Sequence, residues 1–403
     1  MSLLDRLCDE QVWRKFFEYK TSLVSSGSFI KELECFIDRQ DYLPVYNAIK
    51  NRELFPLPEK HIINKTASQK KRVVYVYPER ENTVLKLLTY LLLRKYDGLF
   101  ADCLYSFRPA RTAKDAVRSL SRRRDICSMY AYKADISNYF NSIPISRFLP
   151  VLKQALSDDP ELSDFLCGLL AEPRVLDRGR IVNEEKGIMA GTPLSSFYAN
   201  LYLRELDLSF EREGIAYARY SDDIIALAPD SETAHLYADR IRESLTAHGL
   251  QLNPDKEAFY TPQQGFTFLG FSFCEGVIDI APVTVKKIKA KMHRKARALH
   301  RWRKRNDVSG EKAAAAFIRI FNSKLLEGPL DNELTWSCWF FPVINTTVSL
   351  RIIDNYAQDC IRFLVSGVHR KSRFNVRYGD IKRLGYKNLV HSYYEFREKS
   401  DQR

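Results

Sequence analysis

Ala216-Tyr-Ala-Arg-Tyr-Ser-Asp-Asp-Ile-Ile-Ala-Leu227 places two adjacent carboxylates, Asp222 and Asp223, between an aromatic, apolar lead-in and an apolar lead-out. The pattern predicts a β-hairpin whose tight turn carries both aspartates into the open. Two neighbouring anions repel unless positive charge sits between or beside them. A pair of divalent cations would supply that charge, as in two-metal phosphoryl displacement. A solvated Asp-Asp turn that only reverses the chain is the plainer alternative. A third carboxylate would favour the metal reading. Asp135, 87 positions before Asp222, ends the predicted strand over residues 128–136. There it either faces the turn from a neighbouring strand or serves as a helix N-cap.

The 403 residues carry a net charge of +13 and are 45% hydrophobic, enough for two or three cores and pointing toward a polyanionic partner. Eleven Lys or Arg residues and no acid fall between Lys286 and Arg305. The 22 tyrosines and 24 phenylalanines either fill cores or offer stacking surfaces to single-stranded nucleic acid. Eight cysteines are widely separated, without the short spacings of a zinc or redox site, and read as reduced thiols mostly packed as small hydrophobes. With the histidines also scattered, a metal here would be a hard cation on carboxylates, magnesium or manganese. The longest apolar run, Val84–Leu93, contains Lys86 and is too short for a bilayer. The acidic N-terminus lacks a signal-like apolar region, so a cytoplasmic, non-membrane protein is expected.

Residues 1–50 read as helical through Leu4, Leu7, Trp13, Phe16, Phe29, Leu33 and Ile37. A β run over Val73–Pro78 precedes a helix over residues 82–96, and another helix is expected over 161–170. Gly187–Asp207 reads as a Gly/Pro-containing loop feeding a helix. The helix over 233–248 should turn Leu236, Ala238, Ile241 and Leu245 to one side, and Phe266–Phe273 should be a strand interrupted by Gly270. Beyond Pro282 the chain reads as all-helical, with Val285, Ile288, Met292, Leu299 and Trp302 at helical spacing. Trp336, Trp339, Phe340 and Phe341 read as core. Arg370–Tyr394, including Tyr386, either holds structured RNA or packs as a tail. Strands and helices intermix through the middle, an α+β pattern.

Six segments then resemble, in order, a bacterial reverse transcriptase of the group II intron and retron superfamily, most closely its defence-associated members. They are Tyr105-Ser-Phe-Arg-Pro-Ala-Arg111, Asp135-Ile-Ser-Asn-Tyr-Phe-Asn-Ser-Ile143, Gly187-Ile-Met-Ala-Gly-Thr-Pro-Leu194 with its following helix, Tyr220-Ser-Asp-Asp223, Leu252-Asn-Pro-Asp-Lys256 and Phe268-Leu-Gly-Phe271. The resemblance covers about residues 70–273. It implies a right-hand polymerase: a helical extension (1–50), fingers (51–128), a palm (129–275, with a fingers insertion at about 145–185), and a helical thumb and tail (276–403).

The same resemblance implies that Asp135 and Asp222, with the Ile136 carbonyl, hold two Mg2+ ions (Mn2+ as a substitute), and that Asp223 completes the cluster. Lys70, Lys71 and Arg72 would contact the triphosphate, or form only a solvated basic loop. Phe140 would lie under the sugar, where a bulky ring excludes a 2′-hydroxyl, and Gly191 would line the nucleotide site. Lys256 would protonate pyrophosphate or orient the nucleotide, or be a surface lysine. Arg108 and Arg111 would grip template phosphates, Tyr220 the primer end, and Leu269 and Gly270 the primer strand. Lys287, Lys291, Arg294 and Lys295 would track the duplex backbone. The expected partners are a dedicated noncoding RNA template, deoxynucleoside triphosphates and the cDNA product, in defence against phage. Relatives commonly carry Pro-Gln where Met189-Ala190 stands and often Pro at Ser196, which bears on template reading rather than chemistry. No Cys/His endonuclease module follows the thumb. A retron or degenerate intron enzyme is the alternative within the superfamily, and an RNA-binding scaffold on a polymerase fold the non-enzymatic one.

Overall fold

The computed structural model describes residues 2–23, 27–64, 71–123, 125–327 and 336–401. The chain forms two compact units, residues 1–116 with 129–261, and residues 117–128 with 262–403.

In the first unit, α1 (Glu10–Ser22), α2 (Gly27–Asp38) and α3 (Tyr42–Lys50) precede β1 (Glu59–Asn64), β2 (Lys71–Val76) and α4 (Glu79–Lys95). The helix α5 (Ala113–Ser121) runs across the boundary between the units. Then follow β3 (Tyr130–Asp135), α6 (Tyr139–Ser142), α7 (Ile145–Ala155), α8 (Pro160–Ala171), β4 (Arg174–Asp177) and β5 (Arg180–Asn183). The unit continues through α9 (Ser195–Tyr202), α10 (Arg204–Arg212), β6 (Ala216–Tyr220), β7 (Asp223–Ala228), α11 (Ser231–Ala247) and β8 (Ala258–Tyr260). One sheet has the order β6-β7-β3-β8, antiparallel throughout, and a second has the order β2-β1-β4-β5 with β1 and β4 parallel.

The reason β7 lies at the centre is its composition. Ile224 through Ala228 are all buried, so neither face alternates toward water, as expected of a strand covered on both sides. The helix α11 packs over β3 and β7. Its buried stripe is Ala234, Ala238, Ile241 and Leu245. Leu236, expected on that side, is 61% exposed, because it lies two residues, about 200° of helix turn, from Ala238.

The N-terminal helices form on the expected apolar positions. Trp13 stacks on Tyr42 with ring centroids 5.0 Å apart, and its indole N–H donates to the Leu7 carbonyl at 2.8 Å. Asp159 ties this layer to α8. Its buried carboxylate accepts from Ser2 Oγ and Leu3 N, both at 2.7 Å, while capping Leu162 N at 3.2 Å. The helix α4 starts at Glu79, directly after Pro78, rather than at residue 82; the fixed φ of proline suits a helix entrance.

In the second unit, β9 (Phe266–Phe268), β10 (Phe271–Cys274) and β11 (Val277–Ile280) form an antiparallel sheet. Among the described residues every later regular element is helical: α12 (Pro282–Arg305), α13 (Gly310–Leu325), α14 (Trp336–Phe340), α15 (Val348–Ser366), α16 (Tyr378–Arg383) and α17 (Leu389–Asp401). Val285, Ile288, Met292 and Ala296 form the buried side of α12, which packs on α13 and α15. Trp302, grouped with that stripe by spacing, is 38% exposed. Phe340 and Phe341 are core, with Trp336 and Trp339 half-buried. Asp354 on α15 accepts from Tyr386 Oη at 2.5 Å and from the Leu389 and Val390 amides at the start of α17. Tyr386 is therefore a core residue and offers no exposed stacking face.

All seven described cysteines are free thiols, but only Cys167 and Cys360 are buried, and Cys8, Cys35 and Cys274 are exposed. The expectation that most pack as hydrophobes fails for that reason. Among the described residues no helix is long and apolar enough to cross a membrane.

The substitution Asp159→Ala leaves two amides and a hydroxyl without their acceptor. It should lower the free energy of unfolding by about 2 kcal/mol, read as an earlier urea midpoint of the first unit's transition.

Candidate functional site

The turn Tyr220–Asp223 closes β6 onto β7 with a two-residue loop, Tyr220 pairing with Asp223. Ser221 takes φ +61°, a conformation that favours glycine and is found where a turn is fixed by its surroundings. On the other side of β7, Asp135 at the end of β3 pairs directly with Asp223, and the Ile136 amide donates to the Asp222 carbonyl at 3.0 Å. Antiparallel pairing thus brings all three aspartates to one end of one sheet. They are not in the open, as the turn pattern suggested: the Asp135 side chain is 12% and that of Asp223 23% exposed.

Crowding shows in their protonation. Burial, then the neighbouring Asp135 charge, raises the Asp222 carboxyl above its ordinary range, while Lys256 and Arg72 pull it back. Burial, reinforced by Asp135 and Asp222 against the opposing pull of Lys133, raises Asp223 to about 6. Lys256 donates to Asp135 Oδ2 at 2.5 Å. Its segment, residues 251–256, is laid along β3 by the bonds Ser137 N to Gln251 O and Asn253 N to Asp135 O, both 2.8 Å. Lys133 Nζ stands 3.5 Å from Asp223 Oδ1, an oxygen that is buried without a hydrogen-bond partner.

Among the described residues, no three His, Cys, Asp or Glu side chains are already arranged around a metal position. The donor set nevertheless suits one. Several carboxylate oxygens at one sheet end match a hard divalent cation, and Asp223 Oδ1, which accepts no hydrogen bond and has Lys133 only at 3.5 Å, is available to one.

Beneath the turn lies a group that the sequence reading did not single out. Arg219 and Asp207 are fully buried and joined by a forked ion pair, 2.8 Å at Nε and 2.5 Å at Nη2. The guanidinium also donates to the carbonyls of Ser221 and Asn200, both at 3.2 Å. The Arg219 backbone bridges residues 103–105, through bonds to Cys103 O and from Tyr105 N. Asn200 in turn exchanges bonds with Ser106, 3.0 and 2.7 Å. An arginine inside the otherwise apolar run of β6 was the available signal.

A second wall adjoins the aspartates. Gly187 (φ +54°) presses on α6 so closely that a Cβ would fall 2.5 Å from the Phe140 carbonyl, and Ile188 N bonds that carbonyl. Asn141, a further residue missed, links the loop to β2: its amide donates to Val73 O at 3.1 Å, and its oxygen accepts from Ala190 N at 3.0 Å. Ala190 O accepts from Tyr75 N at 2.8 Å. Gly191 (φ +101°) is held where a Cβ would meet Val74 at 3.0 Å. Met189 and Ala190 are both buried, so what marks this position is bound up in packing and backbone pairing. Phe140 is half-buried and touches Phe107 (6.3 Å between centroids), which in turn touches Tyr220 (6.5 Å).

Lys71 and Arg72 lie exposed on β2, with Arg72 acting electrostatically on Asp222; Lys70 lies outside the described residues. Arg108 is buried, its guanidinium taken by the Asp97 carboxylate and the carbonyls of Ala101 and Leu104. Arg111 pairs with Asp102 through both its side chain and its carbonyl. Leu269 and Gly270 form the two-residue turn between β9 and β10, at φ +48° and +89°, within the second unit. There Lys287, Lys291, Arg294 and Lys295 line the exposed side of α12.

Comparison with known proteins bears on this arrangement. The sequence profile described as "Reverse transcriptase (RNA-dependent DNA polymerase)" matches residues 63–273. An "Uncharacterized 91 kDa protein in cob intron" of Schizosaccharomyces pombe is 27% identical over 163 residues, covering 40% of this chain; the chain spans about a fifth of that relative's length. A solved structure of apo telomerase from Candida tropicalis, truncated from the C-terminal domain, aligns over 56% of this chain and 55% of its own, at 12% identity and TM-score 0.45.

Because Asp223 carries a raised pKa in the folded state, it binds a proton there that the unfolded chain does not bind between pH 4 and about 6. Stability therefore falls as pH rises through that window. In metal-free buffer Asp223→Asn should unfold later than the wild type at pH 7.5, by roughly 2 kcal/mol, and the advantage should vanish near pH 4. An Asn variant no more stable at either pH contradicts the crowding.

Proposed function

Because the chain belongs to the reverse transcriptase family of RNA-dependent DNA polymerases, we propose that it copies an RNA template into DNA at the Asp135–Asp222–Asp223 cluster. The observation that carries this reading is the pairing of Asp135 with Asp223 at one sheet end, beside Asp222 on the turn. On this reading β1, β2 and their neighbours form the fingers, the β6-β7-β3-β8 sheet the palm floor, and the helices from α12 onward the thumb and tail.

Divalent cations, Mg2+ or Mn2+, held by Asp135, Asp222 and Asp223 with the Ile136 carbonyl, would lower the pKa of a primer 3′-hydroxyl and neutralise the leaving pyrophosphate. The rest of the work belongs to the chain's own side chains. Arg72 and Lys71 on β2 contribute positive charge for a triphosphate, and the influence of Arg72 on Asp222 supports that placement. On this reading Lys256 orients the nucleotide or delivers a proton to pyrophosphate, and its contact with Asp135 supports that role. On the same reading the Phe140 ring, which meets Phe107 edge to face, lies beneath the sugar and excludes a 2′-hydroxyl. Tyr220, at the start of the turn, would pack against the primer end. The buried Arg108 acts through position, fastening its loop, and phosphate contact falls to other cations.

The substrate side is a template RNA, deoxynucleotides and a cDNA product. The resemblance of the six motifs supports a dedicated noncoding RNA and a role in defence against phage, in a cytoplasmic setting, and the net charge of +13 supports a nucleic-acid partner. The relative encoded in a cob intron favours a second reading, an intron-type enzyme, which sequencing of RNA bound to the purified protein separates from the first.

The direct test is primer extension on an RNA template with labelled deoxynucleotides and Mg2+. Wild type should extend the primer, and Asp222→Ala should lose at least about a thousandfold in rate while binding the duplex as before. Absence of extension by wild type across varied templates and primers, or full activity in Asp222→Ala, contradicts the proposal.

A further inference from the structure

With Arg108 and Arg111 engaged by Asp97 and Asp102, the cations for a strand in the first unit lie elsewhere. A cavity of about 430 Å³ opens between α1, α4 and the loop that carries Gly191 and Pro193. The helix α4 contributes Asn82, Lys86, Tyr90 and Arg94, spaced four residues apart and so forming one stripe along the helix. The helix α1 contributes Tyr19 and Lys20. Phe107 lines the same cavity; it is 40% exposed, takes φ +58°, and touches both Phe140 and Tyr220. The stripe therefore ends against the aromatic group beside the aspartate turn.

Cations and rings alternate along it. The Arg94 guanidinium sits 3.5 Å from the Tyr90 ring centroid and 4.6 Å from that of Tyr19, Lys86 lies over Phe29 at 4.5 Å, and Lys20 lies over Phe16 at 5.3 Å. Tyr19 and Tyr90 meet at 4.9 Å. Burial, then the charges of Lys86 and Arg94, lowers Lys20. Burial also lowers Lys86, partly offset by Glu79 and Glu32. Interleaved basic and aromatic side chains suit single strands, whose phosphates and unstacked bases alternate in the same way. An acidic protein segment would meet the charge but leave the rings without stacking partners.

We infer that the α1–α4 face, Lys20, Lys86 and Arg94 with Tyr19, Tyr90 and Phe107, is the track along which single-stranded nucleic acid approaches the aspartate turn. The assignment of that strand as the template rests on the polymerase reading; the binding itself does not. The N-terminal helix α1 is then part of the nucleic-acid surface as well as a structural layer.

The test is equilibrium binding of fluorescent primer–template duplexes to the full chain, without nucleotides or divalent metal. One duplex is blunt and the other has a template 5′ overhang of about eight nucleotides. Wild type should bind the overhang form about tenfold more tightly. Lys86→Gln/Arg94→Gln should lose that gain and keep the blunt-end affinity. Arg94→Gln alone, at an exposed position, should lose part of it, with an unfolding curve that shows the variant folded. An overhang that gives wild type no gain, a gain that survives in both variants, an equal loss on the blunt duplex, or displacement by polyglutamate as readily as by single-stranded RNA would each overturn the track. The two proposals fail separately. A protein that shows the overhang effect but never extends a primer sinks the polymerase reading alone, and one that extends without the effect sinks the track alone.

Discussion

The buried pair of Arg219 and Asp207 is the interaction on which the site's geometry depends. A guanidinium with no solvent access must satisfy its donors within the protein, and this one does so by reaching Asp207 on α10, the Asn200 carbonyl on α9 and the Ser221 carbonyl in the turn. Its own backbone adds the segment around Cys103–Tyr105. Three other stretches, around Cys103–Tyr105, Asn200 and Asp207, are thereby fastened under one two-residue loop. The left-handed Ser221, unfavourable for a residue with a Cβ, persists because the carbonyl that follows from that conformation is held from below.

Above this anchor the electrostatics run the other way. Strand pairing forces three aspartates together, and the protein answers with incomplete compensation. Lys256 takes one oxygen of Asp135, Lys133 stands back at 3.5 Å from Asp223, and Arg72 acts on Asp222 from β2. Burial first, and that imbalance after it, raises the Asp222 and Asp223 carboxyls. A fold selected for stability alone would remove one of the acids. Keeping all three beside only partly compensating lysines prepares the place for a cationic ligand, which is what the proposed chemistry requires.

Much of this was legible in the sequence because it rests on local periodicity and composition. The apolar run of β7, the strand end at Asp135, the hairpin at Tyr220–Asp223 and the basic exposed side of α12 each follow from a short window of residues. What was not legible depends on contacts that only the folded chain makes. Arg108 looked like a phosphate ligand because its motif does not show that the chain folds back to set Asp97 and two carbonyls around it. Arg219 looked incidental until its partner twelve residues earlier was placed beside it. Leu236 was misread because a helical stripe is set by which neighbours cover it, and the side chains of Ala234 and Ala238 face β3 and β7 where that of Leu236 faces water. Phe107 and Asn141 stood inside recognised motifs, yet their work of bracing Phe140 and tying the Gly187–Gly191 loop to β2 exists only in three dimensions.

The account turns on the aspartate cluster being a divalent-cation site. Titrating the metal-free protein with Mn2+ and reading bound ion by electron paramagnetic resonance tests this without any template, primer or nucleotide. Wild type should bind Mn2+. Asp222→Asn should weaken that binding by at least about tenfold, and Lys256→Ala should strengthen it by freeing the Asp135 oxygen. Mn2+ binding that is unchanged in Asp222→Asn and in Asp135→Asn would contradict it.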